Sequence, residues 1–188
     1  MNQPNITLVI IAVVVVAAIA VLGWWYSRRR RTQHLRERFG PEYDRVVHEQ
    51  GNTNKAENVL AWRARKREEL RILPLAPAVR ADFANRWMRV QGRFVDDPRG
   101  AVADADQLVT EVMHARGYPM ADFDQQAELV SVDHPRVVQN YRAAHDIALS
   151  HGRGQASTED LRTAMVHYRS LFDELLQDNL TERKEARG

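Results

Sequence analysis

Residues 98–117, "PRGAVADADQLVTEVMHARG", show the clearest helical pattern in the chain. Apolar side chains recur there at intervals of three and four, at Val102, Ala105, Leu108, Val109, Val112 and Met113. Asp97 can cap such a helix, Pro98 fits its first turn, and Gly117 is suited to its end. The stretch therefore predicts an amphipathic helix over 99–116 with one face in a core.

Similar patterns continue on both sides, separated by Gly and Pro. Further helices are predicted over 42–50, 55–73 and 78–95, after Asp122, after Asp133, and after Ser157 or Thr158. No segment alternates apolar and polar residues as a half-buried strand does. We therefore expect an all-α chain, with a compact helical bundle over 78–178 and a polar tail over 179–188.

Charge is distributed unevenly along the chain. Residues 1–27 carry no charged side chain, whereas residues 28–73 carry 13 Arg and Lys against 7 Asp and Glu. Residues 74–188 carry 14 against 18. The order apolar, basic, mildly acidic is typical of a membrane protein with a basic segment beside the bilayer.

The apolar segment Ile6–Tyr26, "ITLVIIAVVVVAAIAVLGWWY", has 21 residues without a charge. As a helix it is about 31 Å long, which matches the hydrocarbon core of a bilayer. Trp24, Trp25 and Tyr26 have ring types that prefer the membrane interface. Four arginines follow at once: Arg28, Arg29, Arg30 and Arg31. We read 6–26 as a single transmembrane anchor and these seven residues as its interface anchors.

A cleaved signal peptide is the competing interpretation of this segment. Signal peptides carry positive charge before the apolar run, but residues 1–5 have none and the arginines come after it. The positive-inside rule then puts residues 1–5 outside and the carboxyl-terminal part in the cytoplasm. Residues 27–73 are predicted to form a basic helical stalk that attracts anionic lipid headgroups. The reversed orientation, with an envelope-facing domain, stays open as an alternative.

The stretch 131–147, "SVDHPRVVQNYRAAHDI", is the best candidate for a polar site, with Asp133, His134, Tyr141 and His145. The two histidines are 11 residues apart, or about 16 Å along one helix, so they cannot bind one ion from that helix alone. Asp133 is instead predicted to cap the helix, with Pro135 in its first turn. His145 is expected to be a partly buried, hydrogen-bonding residue.

Other chemistry finds little support in the sequence. The chain has no Cys, which excludes disulfides and thiolate metal sites. Asp104-x-Asp106 and Asp122-x-Asp124 lack the glycine that a calcium loop requires. We predict no catalytic residue, no metal site and no cofactor. The basic stretch with Trp62, Arg63, Lys66 and Arg67 is interrupted by glutamates, so nucleic acid is not an expected partner.

Three further stretches carry a resemblance: "RFVDDPRGAVADADQLVTEVMHARGYP", "SVDHPRVVQNYRAAH" and "MVHYRSLFDELL". Together they resemble a bacterial family of single-pass membrane proteins, often labelled secreted proteins, for which no activity is established. The resemblance covers most of the chain after Phe39. It implies a bacterial cell membrane and one helical module, and it supplies no catalytic residue.

Two classes of function follow from these observations. The first is a non-catalytic interaction module, tethered to the membrane, that binds a partner protein or a second copy of itself. The second is a ligand- or metal-binding enzyme domain whose residues converge only in the fold. In that case His134 or His145 would meet Asp104, Glu111 or His167 from neighbouring helices.

Overall fold

A computed structural model describes the backbone of residues 3–153 and 155–177, and side chains from residue 11 onward within those ranges. The described part contains eight α-helices and no strand: α1 (Gln3–Phe39), α2 (Pro41–Gln50), α3 (Thr53–Glu68), α4 (Pro77–Arg93), α5 (Pro98–Arg116), α6 (Phe123–Asp133), α7 (Val138–Gly152) and α8 (Thr158–Gln177). The predicted all-α class is confirmed. The predicted polar tail, 179–188, lies outside the described residues.

The larger hydrophobic core lies in a bundle built from α4 to α8. All six apolar residues of the predicted α5 stripe are buried there, so that prediction is confirmed. On α4, the Trp87 ring stacks on Phe172 of α8 with ring centroids 4.6 Å apart. Val79, in the first turn of the same helix, is exposed.

The helix ends depend on local capping. The Asp97 carboxylate accepts a hydrogen bond from the Gly100 backbone N–H at the start of α5. Asp122, after which a helix is predicted, accepts one from the Gln125 N–H at the start of α6. At α8, the Ser157 hydroxyl oxygen accepts from the Asp160 N–H while the Asp160 carboxylate accepts from the Ser157 N–H. Such reciprocal capping supplies partners for donors that a helix leaves unpaired.

The predicted stalk, 27–73, contains a hydrophobic core of its own. The end of α1 packs with α2 and α3 around a second core that contains Leu35, Phe39, Tyr43 and Leu60. Val132 of α6 is part of this core, so the unit also packs on the bundle. We call residues 28–68 the collar. Its basic composition suggested a solvated helix, but its apolar residues are sufficient to form a small core.

Helix α3 ends at Glu68, five residues before its predicted end, because the next residues form part of the bundle. Ile72 and Leu75 are buried in the larger core, ahead of the predicted domain boundary at residue 78. The Leu73 N–H donates to the Arg116 carbonyl over 2.8 Å. We call this non-helical connection, residues 69–76, the strap.

The predicted helix start at Asp133 is wrong. Asp133 is the last residue of α6, His134 follows as its C-cap, and α7 begins only at Val138. The residue before a proline is disfavoured in the α conformation, and His134, which precedes Pro135, has φ −126° and ψ 56°. The proline therefore separates two helices.

One helix of the described chain is long and apolar enough to cross a membrane. It is α1, whose apolar segment continues without a break into the collar. Contacts along α1 and α3 run in the same order, from Arg31 with Asn58 to Arg38 with Glu68, so these helices are parallel. The intervening α2 therefore runs back toward the apolar segment.

Candidate functional site

The four residues of the predicted polar site do not form one site. Asp133 and His134 lie where α6 ends, Tyr141 lies in the bundle core, and His145 is half-buried one turn further along α7. Each has its own set of neighbours.

Asp133 joins the collar to the bundle. Its Oδ2 atom accepts hydrogen bonds from Arg67 Nε of α3 at 2.5 Å and from the Tyr118 hydroxyl at 2.6 Å. Burial raises the pKa of Tyr118 well above its usual value, and the charge of Asp133 raises it further. Tyr118 is therefore a protonated donor at neutral pH. This carboxylate thus joins α3, the connection that follows α5 and the end of α6.

His134 and Tyr141 are both buried and both contact other helices. His134 Nδ1 lies 3.4 Å from Glu174 Oε1 of α8. The Tyr141 hydroxyl donates to Gln126 Oε1 of α6 at 3.3 Å. Burial raises the pKa of Tyr141, and the charge of Asp106 adds to that effect. The phenol is thus kept neutral, as a donor and not a base.

His145 stacks face to face on Phe123, with ring centroids 3.6 Å apart. Its buried Nδ1 has no hydrogen-bond partner among the described residues, and its predicted hydrogen-bonding role stays a prediction. Asp104 and Glu111 pair instead with arginines of α4. Within the described ranges, no group of three or more His, Asp or Glu side chains is placed to hold a metal ion.

The centre of the polar network is Glu42, which sequence reasoning missed. It lies in the first turn of α2, and its side chain is fully buried. Its two oxygens accept hydrogen bonds from four side chains: Arg45 (2.8 and 2.9 Å), Arg63 (3.0 Å), Gln139 (3.1 Å) and Arg142 (2.8 and 3.0 Å). These donors come from α2, α3 and α7. Glu42 therefore connects the collar to the bundle through hydrogen bonds of a buried carboxylate.

The charges around Glu42 are balanced. Arg63 also donates to Glu128 of α6 at 2.7 Å, and Arg45 also pairs with Glu49. Three guanidinium groups thus face three carboxylates. Buried charges are tolerated only when they are paired and hydrogen-bonded. Every charged group here has an ion-pair partner, and Arg63 Nε is the one buried donor of the three arginines without a hydrogen bond among the described residues. We call Glu42 with Arg45, Arg63, Glu128 and Arg142 the Glu42 cluster.

Burial alone would raise the pKa of Glu42, but hydrogen bonds from Arg45 and Arg142 and their charges lower it by more. The pKa of Glu42 is therefore below its ordinary value, and the unfolded chain binds more protons in acid. The contribution of Glu42 to stability is complete above that ordinary value and is lost as the pH falls through the folded-state pKa.

The lowered pKa of Glu42 predicts that the stability difference between the wild type and Glu42→Gln depends on pH. The gap in their free energies of unfolding is expected to stay constant from about pH 7 to about pH 5 and to shrink toward about pH 3. Urea denaturation at a series of pH values measures it. A gap that is as large at about pH 3 as at neutrality contradicts the expected role of the ionised carboxylate.

The predicted interface anchors divide into two groups. Trp24, Trp25 and Tyr26 are exposed, and arginines four residues further along the chain lie over their rings: Arg28 (5.3 Å), Arg29 (5.2 Å) and Arg30 (5.6 Å). Arg28 also donates to Asn54, and Arg31 donates to Asn58 at 2.9 Å. Arg28 and Arg31 thus face α3, whereas Arg29 and Arg30 point away from it.

The basic stretch of α3 is largely occupied by contacts within the chain. Arg63 belongs to the Glu42 cluster and Arg67 binds Asp133. Lys66 pairs with Glu69 at 3.0 Å. Trp62 is half exposed. Arg63 and Arg67 thus hold the collar to α6 of the bundle, whereas the Lys66 pair is local and exposed.

No family model, curated protein or solved structure matches the chain. The resemblance drawn from the three sequence stretches stays a prediction.

Proposed function

We propose that the protein is a membrane-anchored helical interaction module without catalytic activity. In this proposal α1 crosses a bacterial cell membrane once, and the bundle binds a partner protein or a second copy of the chain. The collar fixes the bundle against the end of the anchor. The single observation that carries the proposal is the buried Glu42 cluster.

Two features make the cluster suited to such a role. Helix α1 runs unbroken from its apolar segment to Phe39, which is fully buried in the collar core. The collar in turn is tied to α6 and α7 through Glu128 and Arg142. A tether meant only to keep a domain near the membrane needs no such attachment, since a flexible linker is sufficient. Rigid attachment instead fixes the height and orientation of the bundle.

We further propose that the outward arginines bind anionic lipid headgroups. Arg29 and Arg30 are exposed, point away from α3 and follow the apolar segment directly. Lys and Arg near an anionic membrane surface contribute about 1 kcal/mol each to the attraction. Arg28 and Arg31 are engaged with asparagines of α3, so they contribute to the position of the collar.

The arginines also predict orientation. A reporter fused after Gly188 is expected to behave as a cytoplasmic protein, because positive charge beside a span is retained inside. Green fluorescent protein and alkaline phosphatase fusions measure this in bacterial cells. Fluorescence without phosphatase activity is the expected result. Phosphatase activity without fluorescence would show the reversed orientation or a cleaved signal peptide, which the length of the recovered chain distinguishes.

Photo-crosslinking in cells tests the interaction itself. A photoreactive amino acid is placed at one exposed apolar position of the full chain at a time: Met88, Met120, Leu149 or Val166. We expect a discrete adduct of constant mass from at least one position, which mass spectrometry identifies as a partner or a second copy. No adduct from any position, together with a monomeric mass in detergent, contradicts the proposal.

A further inference from the structure

We propose that the groove between α4 and α5 binds a protein segment that presents an acidic side chain beside an apolar one. This inference rests on the proposed interaction function and assigns it a surface. The groove encloses about 280 Å³ and is lined mainly by charged residues of the two helices. A second, more apolar cavity lies next to it.

Side chains of α4 and α5 face each other at three levels along the groove. We call each facing pair a rung, and one rung is incomplete. Arg93 of α4 pairs with Asp104 of α5 at 2.5 Å, and Arg86 pairs with Glu111, also at 2.5 Å. The order of these pairs shows that the helices are antiparallel. Arg89 lies between the two arginines, and Gln107 lies between the two carboxylates. The middle rung therefore has an arginine but no carboxylate.

Arg89 has the properties of an open anion-binding group. Its side chain is exposed in the groove, and it makes no hydrogen bond or ion pair within the described part of the chain. Gln107 donates its amide N–H to Glu111 Oε1 at 3.0 Å and has no charge to balance Arg89. A guanidinium binds a carboxylate through two parallel hydrogen bonds, so an incoming Asp or Glu would complete the rung.

The adjoining cavity supplies the apolar half of the site. It encloses about 460 Å³, and Phe83, Thr110, His114 and Met120 contribute to its lining. Gln107 and Glu111 line both cavities, so the two are adjacent. Met120 is 72% exposed and is therefore accessible to a ligand. An apolar residue next to the bound carboxylate would cover it.

The charges select a protein segment over a phosphodiester chain. Asp104 and Glu111 lie on either side of the open rung and are already paired with Arg93 and Arg86, so Arg89 is the one unbalanced charge among the described residues of the groove lining. A chain of phosphates is bound by several cations, whereas one guanidinium is sufficient for a single carboxylate. A single carboxylate meets only Arg89. The combination of one acidic contact with an apolar pocket is the composition of an ordinary protein-recognition site.

Arginine side-chain NMR on the full chain in detergent micelles tests the inference. The probe is acetyl-Leu-Glu-Leu-amide, and the signal is the Nε–H resonance of Arg89, assigned by its loss in Arg89→Gln. We expect a saturable shift of that resonance. We also expect affinity at least about tenfold weaker for acetyl-Leu-Gln-Leu-amide and acetyl-Ala-Glu-Ala-amide, since about 1.4 kcal/mol corresponds to a factor of ten.

Two substitutions and a control complete the design, with binding followed through probe resonances. Arg89→Gln removes the open rung, and Gln107→Glu fills it from within the chain, so each is expected to weaken probe binding at least about tenfold. Arg136→Gln removes an exposed arginine in the α6–α7 turn, outside the groove, and is expected to leave binding unchanged.

Several outcomes would overturn the inference. The first is the absence of a saturable Arg89 shift, and the second is wild-type affinity in both groove variants. The third is inorganic phosphate that binds as tightly as the peptide, which would identify a simple anion site. If crosslinks form elsewhere on the bundle while the groove binds no probe, the interaction function stands and only its assignment to this groove fails.

Discussion

Glu42→Gln is expected to lower the free energy of unfolding by about 3 kcal/mol, a large fraction of the stability of an ordinary domain. The substitution keeps the size of the side chain but removes the charge that Arg45, Arg63 and Arg142 share. Only 5% of the Arg63 side chain is exposed, so water cannot replace the lost partner there. Arg142, at 18%, is better hydrated, which places the loss at the lower end of the range for broken buried pairs.

Glu49→Gln is the matched control. Glu49 pairs with the same Arg45, but its side chain is 46% exposed. Exposed ion pairs contribute little, so the expected loss is below about 1 kcal/mol. Urea denaturation in detergent micelles, followed by circular dichroism at 222 nm, measures both variants. Equal losses in the free energy of unfolding would mean that the burial of Glu42 does not increase its contribution to stability.

Gly117→Ala is expected to destabilise the fold by about 3 kcal/mol, from two sources that act at the same atom. Gly117 ends α5 with φ +103°, a conformation that L-residues adopt with strain. An added Cβ would also lie 2.4 Å from the Arg71 carbonyl oxygen of the strap. That oxygen belongs to the backbone, so the strap would have to move, and Ile72 with it.

Gly51→Ala separates the two sources. Gly51 has φ +60° at the end of α2, but nothing lies within 4 Å of the position of its Cβ. It carries the conformational strain alone, about 1 kcal/mol. The same urea titration compares the variants. A Gly117→Ala loss no larger than that of Gly51→Ala would show that the strap is free to move.

The parts of the fold that depend on neighbouring residues could be predicted from the sequence. The stripe of α5, the Asp122 cap and the Ser157 cap each involve residues within a few turns of one another, and all are observed. Helix periodicity and capping are local in this sense. They were sufficient to predict the all-α class and most helix ends.

The polar contacts could not be predicted, because they join residues that are distant in sequence. Glu42 meets Arg142 across 100 positions. In the sequence it is an acidic residue in the first turn of a short helix, where Glu is common for local reasons. Asp133 before Pro135 likewise looks like a helix cap, whereas its carboxylate binds Arg67 and Tyr118.

The collar shows a second reason why part of the fold could not be predicted from the sequence. Its net positive charge predicted a basic helical stalk, because composition averages over a helix without showing which face is apolar. Leu35, Phe39 and Tyr43 are spaced by four, which is a helical stripe, but Gly40 divides it between α1 and α2. The stripe is therefore seen only once the turn between the two helices is known.

A distance measurement between α1 and the bundle tests the central claim most directly. The chain has no Cys, so Glu37→Cys on α1 and Val166→Cys on α8 give two unique sites for nitroxide labels. Both positions are exposed. Pulsed electron paramagnetic resonance in lipid nanodiscs then reports their distance distribution. We predict one narrow distribution that broadens in Glu42→Gln while the helical content is retained. A broad distribution in the wild-type background, or a narrow one unchanged by Glu42→Gln, would contradict rigid coupling through the Glu42 cluster.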